Sequence, residues 1–212
     1  MKTKRLAIYC LAGLVAGCVP IVSLHPLFTK DDLAFDEKLL GVWLEDVNSP
    51  EASWEFARIT EEESGNLPDD LKSEFKRVYR LNIVDKEGHR GSLAACLVKL
   101  GSRMFLDVLP DTLPSGERDI EKAKLLYNAF LFLPVHGFLR VDAIGDQLKM
   151  RFTNDDEFKK LIEAEPQAVK FTEVDDRFVL TASTKELQAF LTKYAADDRL
   201  FPNDLTLTRK SK

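Results

Sequence analysis

The chain has 212 residues, of which 45% are apolar and 31% charged, and its net charge is −5. This composition is that of an ordinary globular protein with enough apolar side chains for a sizeable core. An acidic chain without a dense Lys/Arg patch argues against nucleic acid as a partner, and its acidity serves solubility.

The N-terminus has the three parts of a secretory signal peptide. "MKTKR" is basic, "LAIYCLAGLVAG" is apolar, and Cys18 follows. The apolar run is too short to span a bilayer, which needs about 20 residues, but it fits a signal-peptide h-region. The alternative is a buried N-terminal helix with an incidental cysteine. The basic start, the short apolar run and the small-small-Cys ending together favour the signal peptide.

Ala16-Gly17 before Cys18 resembles the lipobox of bacterial lipoproteins. The resemblance implies cleavage after residue 17, a diacylglycerol on the Cys18 sulfur and an N-acyl chain such as palmitate on the new terminus. It implies no other cofactor. One acyl chain holds a protein only marginally, and two or three hold it stably. In Gram-negative cells, an Asp after the lipidated cysteine would signal retention in the inner membrane. Val19 stands at this position, so the resemblance favours a location in the cell envelope at the periplasmic face of the outer membrane. The mature chain then has a net charge of −8.

Cys96 is the one cysteine left to the mature chain besides Cys18. With Cys18 modified, Cys96 has no intramolecular partner, so we expect no structural disulfide. Its apolar context, "SLAACLVKL", predicts a buried and inert thiol.

Residues 18–37 are expected to form a short tether, part of which packs on the domain. Within it, Asp31 is a candidate cap for a helical turn that extends to Leu39. Residues 38–212 show no internal repeat and no break in composition. They are therefore expected to form a single domain.

That domain is predicted to contain many short strands separated by polar turns. Leu148, Met150 and Phe152 alternate with polar residues, which is the period of a half-buried strand. The predicted strands are 39–45, 52–59, 75–84, 92–100, 103–109, 135–144, 147–152, 177–182 and 204–209.

Two helices are predicted late in the chain, and a third is predicted over 117–130. Asn154 is a candidate cap for a helix that ends before Pro166. Ser183 and Glu186 form a capping box for a helix from 184 to 196. The apolar side chains of that helix recur at helical spacing, at Leu187, Phe190, Leu191 and Tyr194.

Gly41-Val42-Trp43 resembles the Gly-x-Trp motif in the first strand of lipocalin-like proteins. The resemblance implies that Trp43 closes the barrel floor against an arginine from a late strand, and Arg209 is the candidate partner. Their stacking contributes about 0.5–2 kcal/mol. The alternative is that Trp43 is an ordinary core tryptophan beside a turn. The Thr-Asp-Tyr motif of lipocalins is missing, and a helix precedes the last strand.

The predicted fold is therefore mainly β (α+β), with an antiparallel, strongly curled or closed lipocalin-like barrel and two or three flanking helices. The missing βαβ alternation argues against a parallel α/β fold. As a whole, the chain is similar to an uncharacterised family of bacterial lipoproteins rather than to any enzyme.

The sequence lacks the common motifs of reactive sites. The chain contains no Gly-x-Ser-x-Gly, no His-Glu-x-x-His and no phosphate-binding glycine loop. His25, His89 and His136 are scattered, so no metal site is predicted. The acidic runs are expected to be solvated faces or helix ends. These observations favour a protein that is not an enzyme.

One polar constellation is a candidate ligand pocket. Charged residues interrupt three apolar strands, and a polar side chain on an inner sheet face needs a partner. The alternative is that the strands present these residues to solvent. The hypothesis is a polar cluster in the barrel mouth that orients a ligand, formed by Arg77, Tyr79, Asp107, His136, Arg140 and Asp142.

Two functions follow from these expectations. The first is a membrane-anchored protein that binds a small apolar or amphipathic ligand in a barrel cavity. The second is a structural or assembly lipoprotein that binds an envelope protein through its surface. A hollow closed barrel favours the first function, whereas a filled core argues against it.

Overall fold

Twelve β-strands form the framework of the computed structural model, which describes residues 21–110, 134–153, 155–174, 177–198 and 200–211. The predicted signal peptide with Cys18, the helix predicted over 117–130 and the candidate cap Asn154 lie outside these residues. The strands are β1 (Val22–Ser23), β2 (Leu33–Ala34), β3 (Gly41–Leu44), β4 (Ser53–Arg58), β5 (Val78–Val84), β6 (Arg90–Leu100), β7 (Arg103–Pro110), β8 (His136–Ile144), β9 (Gln147–Phe152), β10 (Phe171–Val174), β11 (Arg177–Leu180) and β12 (Asn203–Arg209).

Eight of the strands close into an antiparallel barrel. Strands β3 to β9 pair in sequence order, β12 pairs with β9, and β12 returns to β3, where Arg209 pairs with Trp43. The predicted antiparallel, strongly curled or closed lipocalin-like barrel is therefore confirmed, and of the two forms it is the closed one. Closure leaves these eight strands without a free edge.

Inward-facing side chains along the barrel strands form an apolar interior, which is one of two hydrophobic cores. Because successive side chains point to opposite faces, every second residue of each strand enters this core. Its buried members are Leu39, Trp43, Trp54, Phe56, Tyr79, Leu81, Ala95, Leu97, Leu106, Leu139, Val141, Leu148, Met150, Leu205 and Leu207.

The second core lies outside the barrel, against the outer faces of β6, β7 and β8. Cys96, Phe105 and Phe138 belong to it, and they alternate with residues that point into the barrel. It is covered by residues 21–33, by the helices and by β10–β11, which extends the sheet from β8 through β1. Strands β6 to β8 are therefore buried on both faces.

Three α-helices are described: α1 (Asp69–Lys72), α2 (Asp155–Ala164) and α3 (Thr184–Tyr194). The α3 helix starts at the predicted capping box, where the Glu186 carboxylate accepts a hydrogen bond of 2.8 Å from the Ser183 amide. The four apolar residues predicted for this helix are all buried. No helix in the described part of the chain is long and apolar enough to cross a membrane.

The first described residues differ from the sequence prediction. The helical turn is a 3-10 turn over Glu37–Leu39 that Asp36 caps by accepting from the Lys38 amide, so Asp31 as the cap was wrong. Strands β1, β2 and β10 were not predicted. The first two have only two residues each, whereas an alternating pattern needs about four residues to be recognised.

Candidate functional site

Trp43 and Arg209 meet at one end of the barrel, called the closed end below. The Trp43 ring is fully buried, and its indole N–H donates to the Leu39 carbonyl at 2.8 Å. The Arg209 guanidinium lies 4.1 Å from the centre of that ring. It also donates to the carbonyls of Leu40, at 2.9 Å, and Lys38. One side chain thus joins the last strand to the turn that covers the barrel floor.

Gly41 gives the Gly-x-Trp motif a physical reason. Its φ is +118°, a conformation that L side chains rarely adopt. A Cβ atom at this position would lie 3.2 Å from Nη1 of Arg209. Glycine is therefore favoured both by the backbone conformation and by the close approach of the arginine.

Tyr79 lies inside the barrel at the same end. Its hydroxyl accepts from the Asp36 amide at 2.7 Å and donates to the Asp36 carbonyl at 3.1 Å. The Phe35 ring stacks on Tyr79 at 4.6 Å, and Arg58 covers the other side of Phe35. Burial raises the pKa of Tyr79 to about 12, so the hydroxyl stays neutral. Tyr79 holds the covering segment in place.

The middle of the barrel is filled by side chains. Five leucines between the two ends have no surface accessible to water, so no water-sized space adjoins them. They are Leu81, Leu97, Leu106, Leu148 and Leu207. A deep cavity that reaches these residues is therefore excluded.

Apolar side chains become partly exposed at the opposite end, called the mouth below and defined by Ile83, Leu93, Val108 and Phe152. All four are half-buried and pack against the barrel interior. Among the described residues, the non-strand side chains in this core all come from 35–40, at the closed end. The described part of the chain thus covers the closed end but not the mouth.

One carboxylate lies beside the mouth. Glu45, directly after β3, accepts a hydrogen bond of 3.4 Å from the indole N–H of the interior Trp54. Trp54 pairs with Ile83 across the β4–β5 ladder. The mouth therefore combines an apolar floor with a half-buried acidic group at its edge.

Asp107 and His136, two of the predicted pocket residues, are in contact but lie in the outer core. Asp107 is fully buried and accepts from the Leu27 amide and from His136 Nδ1, each at 2.7 Å. Burial raises the pKa of Asp107 and outweighs the hydrogen bond from His136, which lowers it. Ser23 pairs with His136 across β1 and β8. Through these contacts with Leu27 and Ser23, Asp107 and His136 hold residues 21–28 against the barrel wall.

Arg140 and Asp142 form a second pair on the outer face. Arg140 donates to Asp142 at 2.8 Å, to the Ala195 carbonyl at 2.9 Å and to Asp198 at 2.9 Å. Burial lowers the pKa of Arg140, but its hydrogen bonds to these carboxylates outweigh that effect and raise it. Asp142 also contacts Arg151 at 2.9 Å. This network ties the end of α3 to the barrel.

Arg77 is not in a strand. It belongs to a 3-10 turn over Phe75–Arg77, because β5 begins at Val78. Its guanidinium donates to the carbonyls of Lys30 at 2.8 Å and Leu33 at 2.9 Å. It thus binds backbone of the segment that wraps the barrel.

The structure therefore does not bring the six predicted pocket residues together inside the barrel. Tyr79 is at the closed end, Arg77 is in a turn, and the other four form two pairs on the outer face. The expectation of a shared inner face fails because β7 and β8 are buried on both sides. A charged residue in such a strand is buried whether it points into the barrel or into the outer core. The sequence pattern does not indicate which of these two faces it is on.

The residues of the mouth were not singled out from the sequence. The alternation that places Ile83 beside Leu81, and Phe152 beside Met150, identifies one face of each strand. It does not identify at which end of the barrel each residue lies. That position is defined only when β12 pairs with β3 and closes the barrel.

Two carboxylates and a histidine in one turn have the spacing of metal ligands. Asp85, Glu87 and His89 place three ligand atoms within 4.8 Å of one another in the β5–β6 turn. Asp85 already accepts from the Glu87 amide at 2.9 Å and from the His89 amide at 2.8 Å. Its hydrogen bond to the His89 ring raises the pKa of that histidine. The turn itself accounts for this arrangement.

Comparison with known proteins finds no matching family model, no matching curated sequence and no matching solved structure.

Proposed function

We propose that this chain is a lipid-anchored bacterial lipoprotein whose domain binds a small apolar or amphipathic ligand at the mouth of its barrel. The observation that carries the proposal is the contrast between the barrel ends. Residues 35–40 and Arg209 cover the closed end, whereas Ile83, Leu93 and Phe152 are half-buried and uncovered by described residues. An apolar ligand that covers them would gain about 25 cal/mol per Å² of apolar surface removed from water.

The filled middle of the barrel limits how the ligand is held. Leu81 and Leu97, below the mouth, have no surface accessible to water. The ligand therefore lies at the mouth and does not extend through the barrel. Glu45 and the Trp54 indole supply a polar edge, which suits an amphipathic molecule with a hydrogen-bond donor next to its apolar part.

The lipid anchor places this binding domain in the cell envelope. The lipobox-like sequence before Cys18 supports acylation there, and Val19 supports the periplasmic face of the outer membrane. The role is binding rather than catalysis, because the sequence lacks the motifs of nucleophilic, metal-dependent and phosphate-transfer enzymes.

The ligand is tested by native mass spectrometry of the mature chain, purified from its own cells. We expect a non-covalently bound small molecule that is lost from a Leu93→Glu variant and retained by a Val47→Glu variant. Val47 is 57% exposed on the β3–β4 loop, so its substitution controls for added negative charge. A small molecule that stays bound to folded Leu93→Glu would place the site elsewhere.

The anchor is tested by the intact mass of the same preparation. We expect a chain that begins at Cys18 and carries a diacylglycerol and an additional acyl chain. A Cys18→Ser variant should retain residues 1–17 and carry no lipid. An unmodified Cys18 in the wild-type chain would contradict the anchor while leaving the test at the mouth intact.

The filled middle also favours a second candidate, a structural or assembly lipoprotein that binds an envelope protein through its surface. Proteins of this kind need an exposed apolar patch rather than a cavity. The same native spectra distinguish the two functions. A stoichiometric protein partner with no small molecule would favour this candidate over the first.

A further inference from the structure

Ile21 is the first described residue, and it belongs to the outer core. Ile21 is 3% exposed, and the next residues form β1, with Val22 paired to Val179 and Ser23 to Leu180. From this point the backbone is held to the barrel, for example by Asp107 at Leu27. Only Val19 and Pro20 stand between Cys18 and this point in the sequence.

The distance between the lipidated residue and the fold is consequently short. Three Cα–Cα steps separate Cys18 from Ile21, and they span at most about 11 Å when fully extended. If Cys18 carries the lipid, as proposed above, the part of the domain around β1 is held next to the bilayer surface.

The topology identifies the elements beside Ile21. β1 runs parallel to β11, so the N-terminal ends of both strands lie at the same side of the sheet. β10 and β11 form an antiparallel hairpin, and the N-terminal end of β11 lies beside the C-terminal end of β10, where Val174 pairs with Arg177. Two strand spacings, about 10 Å, separate β10 from β1. The β10–β11 hairpin is therefore as close to Ile21 as the anchor itself.

Two of the three exposed large apolar side chains in the described chain lie on this part of the fold. Leu24, 39% exposed, directly follows β1, and Val174, 52% exposed, ends β10. The third, Val47, lies in the β3–β4 loop. Isolated exposed apolar residues are common. Val174 lies beside the anchored end, and Leu24, three residues after Ile21, has the same strand parity as Val22, so both point to the same face of this sheet.

We propose that the face formed by β1 and the β10–β11 hairpin, with Leu24 and Val174 exposed on it, rests on the bilayer that holds the lipid of Cys18. Two apolar side chains are too few to bind a membrane alone. A covalent anchor makes the contact intramolecular, so weak contacts become significant.

The lipid chemistry follows from the charge of the hairpin. Residues 173–177, "EVDDR", have a net charge of −2. This sequence offers no attraction to an anionic membrane surface. The contact is therefore apolar and suits zwitterionic headgroups.

The test uses the acylated mature chain on phosphatidylcholine vesicles that contain a quencher on the lipid acyl chains. Val174→Cys and Val47→Cys variants are each labelled with a fluorophore at the new cysteine. Cys96 is fully buried and Cys18 is acylated, so labelling is selective. We expect the Val174 label to lose most of its fluorescence and the Val47 label to keep most of it.

Equal quenching of the two labels on an acylated chain would overturn the membrane face and leave the anchor standing. The intact mass, measured first, separates this outcome from failure of the anchor. If Cys18 carries no lipid, the anchor and the membrane face are both wrong. Since Val174 and Val47 are both exposed, neither substitution is expected to disturb folding.

Discussion

The two ends of the barrel are built differently. At the closed end, backbone carbonyls, an indole N–H, a tyrosine hydroxyl and a guanidinium satisfy one another around Trp43 and Tyr79. At the mouth, the interior ends in half-buried apolar side chains such as Leu93 and Phe152, and the Glu45 carboxylate accepts a hydrogen bond from the indole of Trp54 beside them. Among the described residues, the closed end is covered by groups that hold the fold together and the mouth is not covered, which is why we propose that the ligand binds at the mouth.

Trp43→Ala provides the largest expected effect. Truncation of a fully buried tryptophan leaves a cavity and lowers the free energy of unfolding by about 3–5 kcal/mol. Urea unfolding followed by circular dichroism measures the loss, and Trp54 remains as the single fluorescent tryptophan. A loss below that of the mouth variant described below would contradict the assigned roles of the two ends.

Arg209→Ala removes the stack on Trp43 and the donors to two carbonyls. Because a hydrogen bond to a charged group contributes about 1.5–3 kcal/mol, we expect a loss of about 2–3 kcal/mol in unfolding free energy. Arg209→Lys is the matched control. It keeps the charge but lacks the planar fork, so it should recover little of the loss. Full recovery by lysine would show that charge alone matters there.

Phe152→Ala tests the mouth in the same assay. Phe152 is half-buried, so its truncation creates less cavity than a fully buried aromatic residue would. We expect a loss of about 1–2 kcal/mol, below that of Trp43→Ala. If the two losses are equal, the mouth is part of the structural core and the contrast between the ends fails.

Glu186 provides a reference remote from both ends, on α3. Hydrogen bonds from Lys170 and Ser183 lower the pKa of Glu186 to about 2. Since this pKa lies below the unfolded value of about 4.3, the ionised carboxylate stabilises the fold above about pH 4. That contribution is lost as the pH falls through about 2.

Glu186→Gln should therefore lower the urea midpoint slightly at pH 7. The difference from the wild-type midpoint should shrink as the pH is lowered from 5 towards 2. A difference that is constant over this range would assign the effect to packing rather than to the charge.

The closed end was largely predictable from the sequence. Each of its features requires a residue type that can be recognised in the sequence. A positive φ favours glycine at Gly41, the barrel floor is closed by the large ring of Trp43, and the paired late strand supplies Arg209. The α3 helix was predictable for the same reason, since Ser183 and Glu186 form a local signal at its first turn.

The location of the polar residues was not predictable in the same way. Asp107 and Arg140 interrupt apolar strands, and both are buried, so the alternative that they face solvent is wrong for these two residues. Which core receives them depends on what covers the outer wall. That cover comes from Leu27 and Ala195, far away along the chain. Alternation within one strand does not carry this information.

The most direct test of binding at the mouth is a titration of the mature domain with the apolar dye N-phenyl-1-naphthylamine. The dye fluoresces more strongly in an apolar site than in water and so reports binding, and the two variants below locate the site. We predict saturable binding that Leu93→Glu weakens about tenfold, equivalent to about 1.4 kcal/mol, and that Val47→Glu leaves unchanged. Equal affinity of the wild-type and folded Leu93→Glu proteins would contradict the assignment of the mouth as the binding site.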